Sequence, residues 1–160
     1  MKILIVSDTH RRDENFEKVL QIEKPVDRVI HLGDAEETEA YMCQLAGQPL
    51  DIVSGNNDFF GDMPREKEIM IGKYRTLLTH GHYYYVSLDT KMLGREARAR
   101  GFDIAMYGHT HRPKIEKKND LVLLNPGSLS YPRQEGRKPS YIIMEMDEVG
   151  NAEYTVRYLE

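Results

Sequence analysis

Apolar and polar positions follow two rhythms along this chain. Short β-branched runs at residues 3–6, 28–32 and 51–54 are separated by stretches with helical spacing. Such alternation predicts βαβ units and a largely parallel sheet buried on both faces. Over residues 13–22 Phe16, Val19 and Leu20 recur at i, i+3, i+4, with Pro25 closing the helix, and a second helix is predicted over 36–45. Further on, residues 68–71 and 76–79 read as a hairpin about Gly72-Lys73, and residues 87–100 as a helix ended by Gly101. Strands are then predicted at 104–107, 113–117, 121–124, 140–145 and 153–158. These follow one another through turn signals at Asn119-Asp120 and Gly150-Asn151 without intervening helices. A second sheet, mixed or antiparallel, is implied, packed face to face on the first.

With 160 residues and 40% hydrophobic content, the chain fits one domain spanning 1–160. Residues 132–139 read as an exposed loop within it, and no repeat or linker divides it. The net charge of −4 and pI of about 5.9 disfavour a broad nucleic-acid surface. The single cysteine, Cys43, can form no intrachain disulfide, which fits a reducing compartment. The apolar start is too short for a signal segment, and nothing approaches the ~20 apolar residues of a membrane span, so a cytoplasmic protein is expected.

The chemistry gathers at strand ends. Ser7-Asp8-Thr9-His10, His31-Leu32-Gly33-Asp34, Gly55-Asn56-Asn57-Asp58, Thr79-His80-Gly81-His82 and Gly108-His109-Thr110-His111 hold all six histidines, five of them at strand ends. In open α/β sheets ligands bind beyond the carboxyl ends of the strands, so Asp8, His10, Asp34, Asn56 and Asn57 should converge on one edge. Residues one apart on an extended segment face the same way, which would aim both members of Asp8/His10 and of His109/His111 into one cleft. Candidate metal ligands are Asp8, His10, Asp34, Asn56, His80, His109 and His111. Mixed carboxylate, amide and imidazole donors suit borderline divalent ions better than Ca²⁺ or Mg²⁺. Seven donors exceed the needs of one catalytic zinc but serve two ions sharing a bridging carboxylate, an arrangement suited to phosphate-ester hydrolysis.

The ordered series D-x-H, G-D, G-N-x-D, G-H and G-H-T-H, followed by Asn125-Pro126-Gly127-Ser128, resembles the calcineurin-like metallophosphoesterases, most nearly their small bacterial and archaeal phosphodiesterase branch. The resemblance runs from Met1 to about Ser128. It implies a four-layer α/β/β/α sandwich of two mixed sheets with a dinuclear centre, and hydrolysis of small phosphodiesters by a bridging hydroxide. Asp8, His10 and His111 would hold one ion, Asn56, His80 and His109 the other, and Asp34 would bridge them. Mn²⁺ is the metal it suggests first, with Fe²⁺, Zn²⁺ or Ni²⁺ as alternatives. Larger relatives carry histidine where this chain has Asn57. An amide there can donate a hydrogen bond to a phosphoryl oxygen but no proton at neutral pH, so esters with poor leaving groups should suffer most.

Asp34 and Asn57 are the catalytic candidates, and Arg11, Asn57 and His82 the candidates for substrate contact. Asp58 is expected to orient its neighbours, and His31 to be a core imidazole. Tyr83-Tyr84-Tyr85 are expected to pack, Arg133 and Arg137 to be surface charges, and Asn125 and Ser128 to support the site from its floor. The rival readings are a nuclease of the same superfamily and a non-catalytic scaffold like the retromer subunit of this fold. A small-molecule substrate is expected and no membrane partner; a homo-oligomer is compatible with the sequence but not required by it.

Overall fold

The computed structural model describes residues 1–160. In its first strand, β1 (Lys2–Val6), Ile3 and Ile5 enter one cluster of buried side chains while Leu4 and Val6 enter another. Successive strand residues point to opposite faces, so a strand covered on both sides must be apolar throughout. β1 pairs parallel with β2 (Arg28–His31), and β2 parallel with β3 (Leu50–Ile52). The crossovers are α1 (Glu14–Glu23) and α2 (Glu39–Ala46), whose Phe16, Val19, Leu20 and Met42 pack on Leu4, Val6 and Val29.

A second sheet contains β4 (Glu66–Ile71), β5 (Tyr74–Thr79), β6 (Ile104–Met106), β7 (Pro113–Lys118) and β8 (Leu121–Pro126), in the order β4-β5-β6-β8-β7. Its outer face is covered by α3 (Lys91–Ala99), with Leu93 and Ala97 against Leu77, Ala105 and Leu123. The inner faces meet through Ile5, Ile30, Leu32, Leu78, Met106 and Leu124. Each such side chain contributes about 1.5–3 kcal/mol of transfer free energy. The layers run α/β/β/α, as expected.

One sheet assignment and two helix starts depart most from the sequence reading. β9 (Ser140–Met146) and β10 (Ala152–Tyr158) do not extend the second sheet; they pair antiparallel onto the free edge of β1, giving the order β10-β9-β1-β2-β3. The turn at Gly150-Asn151 fixes a hairpin but not the edge it joins. That is set by β9 itself, which buries Tyr141 and Ile143 towards the helices and Ile142 and Met144 towards the second sheet. Helix α2 starts at Glu39 rather than at residue 36, because Glu36 and Glu37 are left-handed, with φ of 57° and 73°. Helix α3 starts at Lys91 rather than at residue 87, where the Asp89 carboxylate accepts the Lys91 N–H at 2.9 Å. No helix is long and apolar enough to cross a membrane.

Candidate metal centre

The carboxyl ends of β1, β2, β3, β5 and β6 lead directly into the histidine- and carboxylate-bearing loops. Asp8 Oδ1 lies 3.1 Å from His111 Nε2 and 3.7 Å from His10 Nε2, and those two nitrogens are 3.3 Å apart. In a second group, Asn56 Oδ1 lies 3.0 Å from His80 Nε2 and 3.0 Å from His109 Nδ1. Asp34 Oδ2 stands between the groups, 3.7 Å from His10 Nε2 and 3.4 Å from His80 Nε2. All seven candidate ligands come together.

Burial disfavours charge on these groups and their mutual attraction favours it. For His80, burial pushes down, but the carboxylates of Asp8 and Asp34 outweigh it and raise the pKa to about 9. For Asp8, burial pushes up, but the imidazoles of His80, His10 and His111 hold the carboxyl well below the usual range. Asp34 is lowered against its burial by His80 and by the Asn57 N–H. Yet Asp8 Oδ1 is buried and accepts no hydrogen bond. A buried carboxylate oxygen ringed by imidazole nitrogens, with no donor of its own, is suited to a cation, so the residues present fit a metal.

Partners behind the candidate ligands fix which nitrogen faces the centre. His80 Nδ1 is 2.7 Å from the Leu32 carbonyl, His111 Nδ1 is 2.7 Å from the Tyr131 carbonyl, and His10 Nδ1 is 3.2 Å from Glu36 Oε2. Each of these must donate its N–H, which leaves the Nε2 lone pair for the centre. His31 is different. Its Nδ1 accepts the Gly33 N–H at 3.1 Å, so Nε2 donates to Thr9 Oγ1 at 3.0 Å. Burial lowers its pKa to about 4, and both nitrogens are used: it is a neutral core imidazole.

Asp58 holds the loops themselves. Its Oδ2 accepts the N–H groups of Asp34 at 2.8 Å and Gly55 at 2.7 Å, and its Oδ1 accepts that of Glu36 at 2.7 Å. From the floor, Ser128 Oγ donates to the Asp8 carbonyl at 2.7 Å, and Asn125 Nδ2 donates to Thr110 Oγ1 at 2.9 Å.

The backbone departs from the extended geometry the motifs suggest. Asp8, His10, Asp34, His109 and His111 have φ of 55°, 47°, 60°, 71° and 58°. The residue pairs converge because each member sits in a left-handed turn beyond its strand, a conformation costly to non-glycine residues. Neighbouring glycines make room: a Cβ on Gly33 would lie 2.7 Å from His80 Nδ1, and one on Gly55 would collide with the Asp34 carboxylate.

The candidates for substrate contact divide. Asn57 Nδ2 donates to Asp34 Oδ2 at 2.9 Å and its backbone N–H to Asp34 Oδ1 at 2.9 Å. His82 lies beside the second group, its ring 5.4 Å from that of His80 and 6.1 Å from that of His109, with a buried Nδ1 lacking any partner. Arg11, by contrast, is turned away to the carboxylate of Glu37 and the carbonyl of Glu36, because its own backbone is left-handed at φ 65°. Tyr83 and Tyr85 are 56% and 62% exposed, so the packing expected of all three tyrosines holds only for Tyr84, half-buried with its hydroxyl on Glu66. Arg133 and Arg137 are exposed, as expected of surface charges. With Arg112 they line a cavity of about 720 Å³ that includes His10 and His111. Arg112 directly follows His111, but no spacing signal marks Arg133 and Arg137; folding of the 129–137 loop over His111 brings them there.

The model of the calcineurin-like phosphoesterase superfamily domain matches residues 1–149. YsnB of Bacillus subtilis, named a probable metallophosphoesterase, is 33% identical over 162 residues, covering 100% of this chain and 91% of its own. An archaeal phosphodiesterase structure matches at 25% identity and a TM-score of 0.72, over 98% of this chain and 100% of that one. The zinc complex of Vps29 from Entamoeba histolytica matches at 19% identity and a TM-score of 0.78, over 99% of each chain, a likeness of fold alone. With the ordered motifs converging on one edge of two stacked sheets, the chain belongs to the calcineurin-like phosphoesterase superfamily.

Proposed function

We propose that this protein is a cytoplasmic, metal-dependent phosphodiesterase acting on small phosphodiesters through a dinuclear centre. The observation that carries the reading is the position of Asp34 Oδ2 between two donor groups, 3.7 Å from His10 Nε2 and 3.4 Å from His80 Nε2. Asp8, His10 and His111 would hold one ion, Asn56, His80 and His109 the other, with Asp34 shared. Their mixture of oxygen and nitrogen donors favours Mn²⁺ or a neighbouring transition ion. When bound, two such ions supply Lewis-acid activation of water and charge neutralisation at the phosphoryl oxygens.

The chain's own residues supply the rest. Asn57 orients the shared carboxylate through two hydrogen bonds of 2.9 Å and, being an amide, gives no proton to a departing alkoxide. Aryl and other activated diesters are therefore the preferred substrates. His82, which lines the same cavity as Asn56, would contact an ester substituent. A phosphodiesterase among the matched structures supports the reaction class.

The test is hydrolysis of a chromogenic aryl phosphodiester by metal-stripped protein with and without Mn²⁺, comparing wild type with Asp34→Asn and His109→Ala. Turnover that requires the metal and falls about 100-fold in each variant is expected. No turnover with any divalent ion, by folded protein that binds the ion, overturns the proposal and leaves the scaffold reading.

A further inference from the structure

The cavity of about 720 Å³ beside His10 and His111 is lined by Arg112, Arg133 and Arg137. None of these three guanidiniums makes an ion pair or hydrogen bond within the protein, whereas Arg28, Arg75, Arg100 and Arg157 are each held by a carboxylate. In a chain with 26 acidic and 22 basic residues, three unpaired arginines around one cavity form a local positive site in an acidic molecule. The one carboxylate in the wall, Glu36, is committed to His10 Nδ1 at 3.2 Å.

The arginines are carried on backbone clamped to the metal centre. Arg112 directly follows His111. The loop bearing the other two is held by the Tyr131 carbonyl on His111 Nδ1 at 2.7 Å and by the Arg133 N–H on the His111 carbonyl at 3.0 Å. Ser128 Oγ, itself bonded to the Asp8 carbonyl, accepts the Tyr131 N–H at 2.8 Å.

The cavity reaches only one donor group; Asp34, Asn56, His80 and His109 take no part in its wall. It is therefore a flank of the centre, where a substituent of the reacting phosphate would lie rather than that phosphate itself. The opposite flank is a smaller cavity of about 320 Å³ that includes Asn56, Phe59, His82 and Tyr83. The smaller cavity offers aromatic faces and one guanidinium, Arg65, stacked 4.8 Å from the Tyr83 ring centroid, whereas the larger offers three guanidinium forks that match a phosphate bidentately.

We propose that Arg112, Arg133 and Arg137 bind a second, non-reacting phosphate, so that the preferred substrates are phosphodiesters carrying a further phosphate group on one ester arm. This rests on the phosphodiesterase reading and names its substrate class.

The test compares kcat/KM for thymidine 5′-(p-nitrophenyl phosphate) and for the same diester bearing a 3′-phosphate, with Mn²⁺-loaded full-length protein. Wild type should prefer the 3′-phosphorylated diester by about tenfold, and the triple variant R112Q/R133Q/R137Q should bring the ratio to about one. A wild type without preference, or a preference that survives the triple substitution, overturns the proposal; equal loss on both substrates counts as survival. Calorimetric binding of thymidine 3′,5′-bisphosphate separates the two readings, because it needs no turnover. If neither diester is hydrolysed the phosphodiesterase reading fails, while about tenfold weaker binding by the triple variant still upholds the phosphate site and equal binding overturns it.

Discussion

Replacing Asp58 should loosen the metal centre without touching any candidate ligand. Its carboxylate accepts three backbone N–H groups, from Asp34, Glu36 and Gly55, at 2.8, 2.7 and 2.7 Å. Hydrogen bonds to a charged acceptor are worth about 1.5–3 kcal/mol each, and three sharing one acceptor are less than additive, so Asp58→Ala should cost about 3–5 kcal/mol. Asp58→Asn keeps an oxygen where Oδ2 accepts two N–H groups but sets an amide donor against the Glu36 N–H, for a loss of about 2 kcal/mol. In urea, with a slope of about 2 kcal/mol per molar, the midpoint should fall by about 2 M for alanine and about 1 M for asparagine. Activity on the aryl diester should follow the same order, because Asp34 is held at φ 60° by the turn Asp58 closes. A midpoint shift below about 0.3 M for Asp58→Ala would refute the assignment, since the three amides would then be satisfied without the carboxylate.

Glu23, only 2% exposed, meets Lys2 at 2.9 Å, Arg157 at 2.7 Å and the Tyr141 hydroxyl at 2.7 Å, tying α1 to β1, β9 and β10. Burial raises its pKa, but these partners lower it below the ordinary 4.5, so its stabilisation is present above that pH and lost as pH falls through the folded value. Wild type should lose more urea stability than Glu23→Gln between about pH 5 and 3, and should exceed it by about 2–3 kcal/mol at neutral pH; parallel pH profiles would contradict this. At His10 and His109, with φ of 47° and 71°, glycine should be more stable than alanine by about 1 kcal/mol, read as a higher unfolding temperature of the metal-free variants by roughly 2–4 °C. His80, protonated up to about pH 9 in the metal-free protein, must be neutral to serve as a ligand. Metal binding should therefore release at least about one proton near neutral pH and strengthen as pH rises; calorimetry in buffers of different ionisation enthalpy measures this, and zero release would refute it.

Much of this protein is written locally. The five motifs stand at strand ends because apolar runs such as Ile3 to Val6 must stop where the sheet stops, and polar chemistry begins there. Donor types at those ends identify metal chemistry, and their order identifies the family. Asp58, Asn125 and Ser128 were legible as supports from the motifs in which they stand, although the backbone they hold, such as the Asp8 carbonyl under Ser128, lies far along the chain. Other features had no local sign. The left-handed turns at Asp8 and His109 replaced an expected extended geometry, because only the approach of two sheets decides which way each loop must bend. Placement of β9 beside β1 depended on burial from both sides, which a turn signal cannot encode. Arg11, next to a motif, was drawn to Glu37, while Arg133 and Arg137, more than 20 residues from His111, line the cavity beside it. Chain neighbours share chemistry that can be read from composition and spacing. Residues joined across the fold share it only after long-range packing has fixed their distance, and that packing brought His80 to Asp34 and Arg133 to the flank of His111.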